Sequence, residues 1–209
     1  MKVKICGITR IKELNFCINN NVSFCGFILN YPKSHRNLSF QKAKKLLNTK
    51  KKKTKFVGVL VNPSNNELSK FSKLNLDFLQ LYGNFEDKKI LSIKKKYRIK
   101  IIKVIQVKTK KDVLLYKNFK NSADIILWDS SGYEKSIGWN FNWIKTIPKT
   151  ITKMVAGNIN IKNVAKLANL TDIVDVSGSL ETNKVKDKIK IKKFLDRINK
   201  INEKYKINN

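Results

Sequence analysis

Two stretches decide the fold: Lys153-Met154-Val155-Ala156-Gly157-Asn158 and Ile173-Val174-Asp175-Val176-Ser177-Gly178-Ser179. Each opens with a short, mainly apolar run and ends in small polar residues, and residues 161–168 between them carry helical spacing. Strands covered on both faces read as near-continuous apolar runs, and their alternation with helices builds a parallel sheet. The same unit recurs outward from this pair. Strands are predicted over 3–6, 24–29, 56–61, 78–81, 101–105, 125–128, 153–156 and 173–176, and helices over 11–20, 39–47, 65–73, 87–96, 110–118, 141–146, 161–168 and 188–202. The last helix is the clearest. Ile191, Phe194, Leu195 and Ile198 fall at i, i+3, i+4 and i+7 and give one apolar stripe.

Eight such units in 209 residues are the number that closes a barrel. We therefore expect an α/β chain forming one single-domain (β/α)8 TIM barrel over residues 1–209, with no linker. An open doubly wound sheet competes, but it usually carries a Gly-rich turn after its first strand, and Cys6-Gly7-Ile8-Thr9 is not G-x-G-x-x-G. Reacting groups in such barrels sit at the carboxyl ends of the strands and in the loops that follow. Nearly every polar oddity of the sequence lies there.

Composition narrows the function classes. No apolar run reaches the ~20 residues of a membrane helix, and the amino terminus lacks a secretory signal, so a cytoplasmic location is expected. The formal charge is +30, with 45 basic residues against 15 acidic ones. Four of the basic residues are arginine (Arg10, Arg36, Arg98 and Arg197) and the rest are lysine. Base and bidentate phosphate recognition favour the guanidinium fork, so a lysine excess argues weakly for a nucleic-acid surface. Asn and Ile are also inflated, at 25 each. Since Lys, Asn and Ile share A/T-rich codons, the charge reads as compositional. A flat A/T content in the coding gene would contradict that. The three cysteines form no C-x-x-C pair, and His35 is the only histidine. A disulfide framework or a Cys/His zinc site is not expected.

Candidate chemistry follows from strand alternation. With Val3 and Ile5 facing the helices, Lys4 and Cys6 turn into the barrel, where an ammonium beside a thiol favours the thiolate. The alternative for Cys6 is an inert core residue; Cys17 and Cys25 are read as core. Asp129 ends the sixth strand on the side of Ile125 and Leu127, where desolvation would raise its pKa and suit it to donate a proton. A turn or cap role is its alternative. Asp175 has the same placement on the last strand. Gly157 and Asn158 after strand seven, with Ser177, Gly178 and Ser179 after strand eight, occupy the loops where barrels hold phosphate. Arg36, in the loop after strand two, has a fork suited to a carboxylate.

These residues together resemble the phosphoribosylanthranilate isomerase family. Lys4-Ile5-Cys6-Gly7-Ile8-Thr9 matches its opening block. Gly26-Phe27-Ile28 with Ser34-His35-Arg36, Val57 to Asn62, Leu79-Gln80-Leu81-Tyr82-Gly83, Asp129-Ser130 with Phe141-Asn142-Trp143, Ala156 to Ile159, and Asp175 to Glu181 with Val185-Lys186-Asp187 follow in the family's order. The resemblance implies an Amadori rearrangement of N-(5-phosphoribosyl)anthranilate in tryptophan biosynthesis. It implies Asp129 as general acid at the ring oxygen and Cys6 as general base at C2. Arg36 would hold the anthranilate carboxylate and Asp175 would orient that end of the substrate. Gly157, Asn158, Ser177, Gly178 and Ser179 would line the phosphate site. No metal and no cofactor are implied. The partner expected is a small phosphorylated substrate, without specific nucleic acid or membrane, and the assembly is a monomer or homodimer.

The chain departs from the family pattern at several points. Lys135-Ser136-Ile137-Gly138-Trp139 stands for a Gly-rich loop ending in Lys, Asn158 for a glycine, Gly178 for a serine, Tyr82 for a usual His and His35 for a usual Pro. These changes bear on turnover and affinity. Two other readings stay open: another phosphosugar barrel isomerase, and a non-enzymatic basic protein that binds polyanions.

Overall fold

The computed structural model of the chain describes residues 1–130 and 138–206. All eight predicted strands form: β1 (Lys2–Cys6), β2 (Phe24–Ile28), β3 (Lys55–Val61), β4 (Phe78–Tyr82), β5 (Lys100–Val107), β6 (Ile125–Ser130), β7 (Lys153–Val155) and β8 (Ile173–Val176). They pair in sequence order, and β8 returns to β1 to close a parallel barrel. The register at that seam sets Lys4 opposite Asp175.

The alternation inferred from sequence decides two apolar layers. Inside the barrel, Phe24, Val57, Phe78, Ile102, Val104, Leu127, Met154 and Ile173 form one cluster. Outside it, Val3, Ile5, Phe27, Phe56, Ile126, Trp128 and Val174 pack under the surrounding segments. Both layers are buried, so neither strand face is free to take water. The inner cluster fills the barrel below its carboxyl end, and polar side chains cap it. Gly26 is required here by close approach. A Cβ on it would come within 2.9 Å of the Cys6 sulfur and 3.0 Å of the Lys4 nitrogen.

The first four strands are followed by α-helices: α1 (Ile11–Asn19), α2 (Phe40–Leu47), α3 (Asn65–Phe71) and α4 (Asp87–Tyr97). Ser39 caps α2 by accepting from the Lys42 amide, and Ser64 and Glu67 form a reciprocal capping box on α3. The chain ends in α5 (Lys188–Lys206), which buries Ile191, Phe194, Leu195 and Ile198 as the periodicity predicts.

Three predicted helices are corrected. Residues Lys110–Asn118, Phe141–Thr146 and Val164–Leu167 are 3₁₀ segments. Their anchors explain the tighter winding. Val113 and Tyr116 are buried with Phe119 packed behind them; Ile144 and Ile147 follow Phe141; Val164 and Leu167 precede Leu170. Each set is spaced by three, and side chains at i and i+3 line up on a helix of three residues per turn. Asn163 adds a competing local network near the last segment. Its side chain accepts from the Asn160 amide at 2.8 Å and donates to the Asn158 carbonyl at 2.9 Å.

One element was not expected. After β8, the strands β9 (Glu181–Thr182) and β10 (Val185–Lys186) form an antiparallel hairpin. Asn183 and Lys184 turn it with φ of 50° and 62°, the left-handed pair that a two-residue hairpin needs. Of the predicted loop 135–139, residues 135–137 lie outside the described residues. Among the described residues no helix is long and apolar enough to cross a membrane.

Candidate active site

All nine residues singled out from the sequence line one cavity of about 370 Å³ at the carboxyl ends of the strands: Cys6, Arg36, Asp129, Gly157, Asn158, Asp175, Ser177, Gly178 and Ser179. Each arrives by a different local route. Cys6, Asp129 and Asp175 are inward residues at or near the ends of β1, β6 and β8. Arg36 comes over from the β2 loop because Gly7, with φ of 79°, leaves room; a Cβ there would collide with the Arg36 side chain. Asn158 replaces a glycine of the family pattern yet adopts φ of 49°, which Asn tolerates better than other side chains, so the turn is kept.

The Cys6 side of the cavity is a chain of charges. Lys4, fully buried, donates to Asp175 Oδ2 at 2.8 Å and lies beside the Cys6 thiol. Burial works against the Lys4 ammonium, but Asp175 and Cys6 lift its pKa above the ordinary value, so it stays charged. For Cys6, burial pushes the thiol up. Lys4 and Lys186 pull it down, Asp175 pushes it up, and the net shift is upward. The sequence reading that Lys4 favours the thiolate is right in sign, and burial outweighs it. Asp175 also rises, by burial, against the opposing pull of Lys4.

The Asp129 side is simpler. Asp129 Oδ1 accepts from the Ser130 amide at 2.7 Å, and Oδ2 accepts from the Tyr82 hydroxyl at 2.7 Å. Burial brings its carboxyl up to about 6 although Tyr82, Ser130 and Lys4 each pull down. That rise is what a proton donor working near neutrality needs.

Arg36 is held in a way the sequence did not announce. Its Nε and Nη2 donate to the two Glu181 oxygens at 2.6 and 2.7 Å. Lys186 donates to Glu181 Oε1 at 2.5 Å and to the Ser177 carbonyl at 3.2 Å, while His35 lies 3.3 Å from Oε2. Burial would raise the Glu181 pKa, but Arg36 and Lys186 together bring it down to about 2. One edge of the guanidinium fork is thus occupied, and among the described residues Nη1 with the remaining Nη2 hydrogen is left for a ligand. In the sequence Glu181 and Lys186 stand out only as members of a block that resembles the family's. The available signal was scarcity: with 15 acids in the chain, one just after the last strand needs a reason. His35 is exposed, in line with a loop role.

The small-residue loops are fixed by their own bonds. Ser177 Oγ donates to the Cys6 carbonyl at 2.9 Å, and Ser179 Oγ to the Ile159 carbonyl at 2.7 Å. Trp139, at the site of a usual Lys, donates from Nε1 to the Ala156 carbonyl at 2.9 Å and packs edge-on against Phe141. It is held to the end of β7 by this bond and by packing, where a lysine would offer charge. Cys17 and Cys25 are fully buried, as expected of core residues.

Known proteins are similar over most of this chain. The family model for N-(5'-phosphoribosyl)anthranilate (PRA) isomerase matches residues 3–197. The N-(5'-phosphoribosyl)anthranilate isomerase of Clostridium acetobutylicum is 32% identical over 207 residues, covering 96% of this chain and 98% of the relative. That of Oceanobacillus iheyensis is 34% identical over 206 residues, covering 95% and 97%. Among solved structures, phosphoribosyl anthranilate isomerase from Thermotoga maritima superposes with a TM-score of 0.83 at 26% identity, covering 95% of this chain and 98% of that one. A phosphoribosyl anthranilate isomerase in complex with reduced 1-(o-carboxyphenylamino)-1-deoxyribulose 5-phosphate superposes at 0.80, with the same identity and coverage. On these matches the chain belongs to the N-(5'-phosphoribosyl)anthranilate isomerase family, isomerases of tryptophan biosynthesis.

Proposed function

We propose that this cavity converts N-(5'-phosphoribosyl)anthranilate to 1-(2-carboxyphenylamino)-1-deoxyribulose 5-phosphate, with Asp129 as acid and Cys6 as base. Asp129 gives its proton to the furanose ring oxygen. The C1–O bond breaks towards that oxygen as the anilino nitrogen forms a C1=N bond. Cys6, as thiolate, takes the proton from C2, and the electron pair left there forms C1=C2 while the C=N pair returns to nitrogen. The resulting enol tautomerises to the ketone. The observation that carries this reading is the pairing in one cavity of a carboxyl raised to about 6 with an inward-facing thiol flanked by lysine.

The rest of the cavity supports substrate placement. The open end of the Arg36 fork suits the anthranilate carboxylate, and Asp175 would orient that end. Gly157, Asn158, Ser177, Gly178 and Ser179 suit the phosphate, since small residues let backbone N–H groups approach an anion. We further infer that residues 1–209 act as one domain in the cytoplasm, as a monomer or homodimer. One solved relative is described as monomers generated from a dimeric enzyme; light scattering decides for this chain.

Together the carboxyl and the thiol imply an unusual protonation pattern. Asp129 loses its proton at about 6, below the raised pKa of Cys6. The productive pair, protonated acid with thiolate base, is therefore a minor form whose abundance is flat between the two values. We expect kcat/KM to fall below about pH 6 and again above the thiol pKa. The experiment is the isomerase assay on substrate made in situ, following loss of the substrate's anthranilate fluorescence. Cys6→Ser and Asp129→Asn should each lose ~10²–10⁴-fold. A folded wild-type protein without turnover, or either variant at wild-type rate, overturns the assignment.

A further inference from the structure

Tyr82 has no part in the proposed proton transfers, although it ends β4 where the family pattern has a histidine and reaches across the barrel mouth to Asp129. Its hydroxyl lies 2.7 Å from Asp129 Oδ2. Gln80, fully buried two residues earlier on the same strand face, points Nε2 at the phenol oxygen from 3.4 Å. With that oxygen accepting from Gln80, the hydroxyl hydrogen is turned to Asp129. The backbone supplies the other half of the clamp, the Ser130 amide on Oδ1 at 2.7 Å. Both carboxyl oxygens are thus addressed by donors fixed to two different strands.

We propose that Tyr82 is a positioning residue for the acid: its O–H locks the Asp129 carboxyl in one orientation and stabilises the carboxylate left behind when the proton passes to substrate. The proposal rests on the reading of Asp129 as that acid. A donor fixed in advance on the oxygen where charge develops binds the transition state more strongly than the protonated ground state. The same bond also lowers the proton affinity of Asp129, so Tyr82 sets how much of the productive form exists. The groups facing Asp129 are Tyr82 from β4, Asp175 from β8 and Lys4 from β1. Lys4 and Asp175 are paired with each other, which leaves Tyr82 as the neutral hydrogen-bond donor among them. Burial, with the Asp129 and Asp175 charges, pushes the Tyr82 phenol well above its ordinary value, so it keeps its hydrogen across the working range.

The test is Tyr82→Phe, which removes one hydroxyl and keeps the ring, read in two independent ways. In the free protein, ¹³C NMR of aspartate carboxyls follows the titration of Asp129, its resonance assigned by loss in Asp129→Asn. We expect the Asp129 pKa to rise by about one unit in Tyr82→Phe, the size of one hydrogen bond to a charged group. In the assay, the acidic limb of kcat/KM should move up by the same amount, a change that a purely structural defect does not produce. If neither moves while circular dichroism reports an intact fold, the proposal is overturned. If the carboxyl shifts in the free protein and the limb stays, the bond stands but Asp129 is not the acid, which overturns the reading beneath the proposal and Tyr82's part in the reaction with it.

Discussion

The two walls of the cavity hold their key groups by opposite means. Around Cys6, charges are matched against charges. Lys4 pairs with Asp175 inside the barrel, and Glu181 gathers Arg36, Lys186 and His35 at the rim. Around Asp129 the direct hydrogen bonds come from neutral donors, a phenol, a backbone amide and the Ser130 hydroxyl. The difference follows from what each wall must keep. A buried thiol forms thiolate more readily with a cation nearby, which offsets the cost of burial. A carboxyl whose pKa is to lie near neutrality is better served by burial and neutral donors, because a cation in contact would depress it.

The comparison breaks most readily at Lys4. Removing one partner of a buried ion pair leaves the other charge desolvated and alone, so Lys4→Met should lower stability by about 3–5 kcal/mol in urea unfolding. Replacing both partners, Lys4→Met with Asp175→Leu, should recover much of that loss. A single variant as stable as wild type would show that the base wall does not depend on charge matching.

Glu181→Gln sharpens the contrast at the rim. It loosens Arg36 and leaves Lys186 and Arg36 to repel each other, so KM should rise about tenfold, the loss of one charge-assisted contact, while kcat changes less. The pH dependence of stability gives a second reading. Glu181 is held at about 2, below its ordinary 4.5. Its stabilisation is complete above the unfolded value and is lost as pH falls from 4.5 towards 2. Acid unfolding of Glu181→Gln should lack that component; identical acid profiles would remove the clamp from the account.

The smallest expected effect concerns the whole field. A substrate carrying phosphate and carboxylate approaching a chain of charge +30 should be drawn inward, so kcat/KM should fall with added salt. A rate independent of ionic strength would confine the role of charge to the local pairs.

Most of the fold was legible because strand burial on both faces leaves an unmistakable apolar run, and eight of them in order admit few topologies. The α-helices of the first half were legible for the same kind of reason, through spacings of three and four. The 3₁₀ segments of the second half were misread although their anchors, such as Val113, Tyr116 and Phe119, stand strictly three apart. A short segment offers too few turns for a period of 3.0 to be told from 3.6. The hairpin of β9 and β10 was invisible because two residues per strand carry no periodicity.

What the amino-acid sequence determined by itself was the alternation: it sent Cys6, Asp129 and Asp175 inward and left Val3, Ile5 and Trp128 to the outer layer, because side chains on a strand must change face at every residue. It determined the small residues at Gly157 and Gly178 and the arginine at 36. Only the tertiary structure decided which partners those groups would meet. Tyr82 on Asp129 crosses 47 positions, Arg36 on Glu181 145, and Lys4 on Asp175 171. Contacts at such separations exist only once the barrel has closed, and the balance of burial against charge that sets each pKa is decided with them.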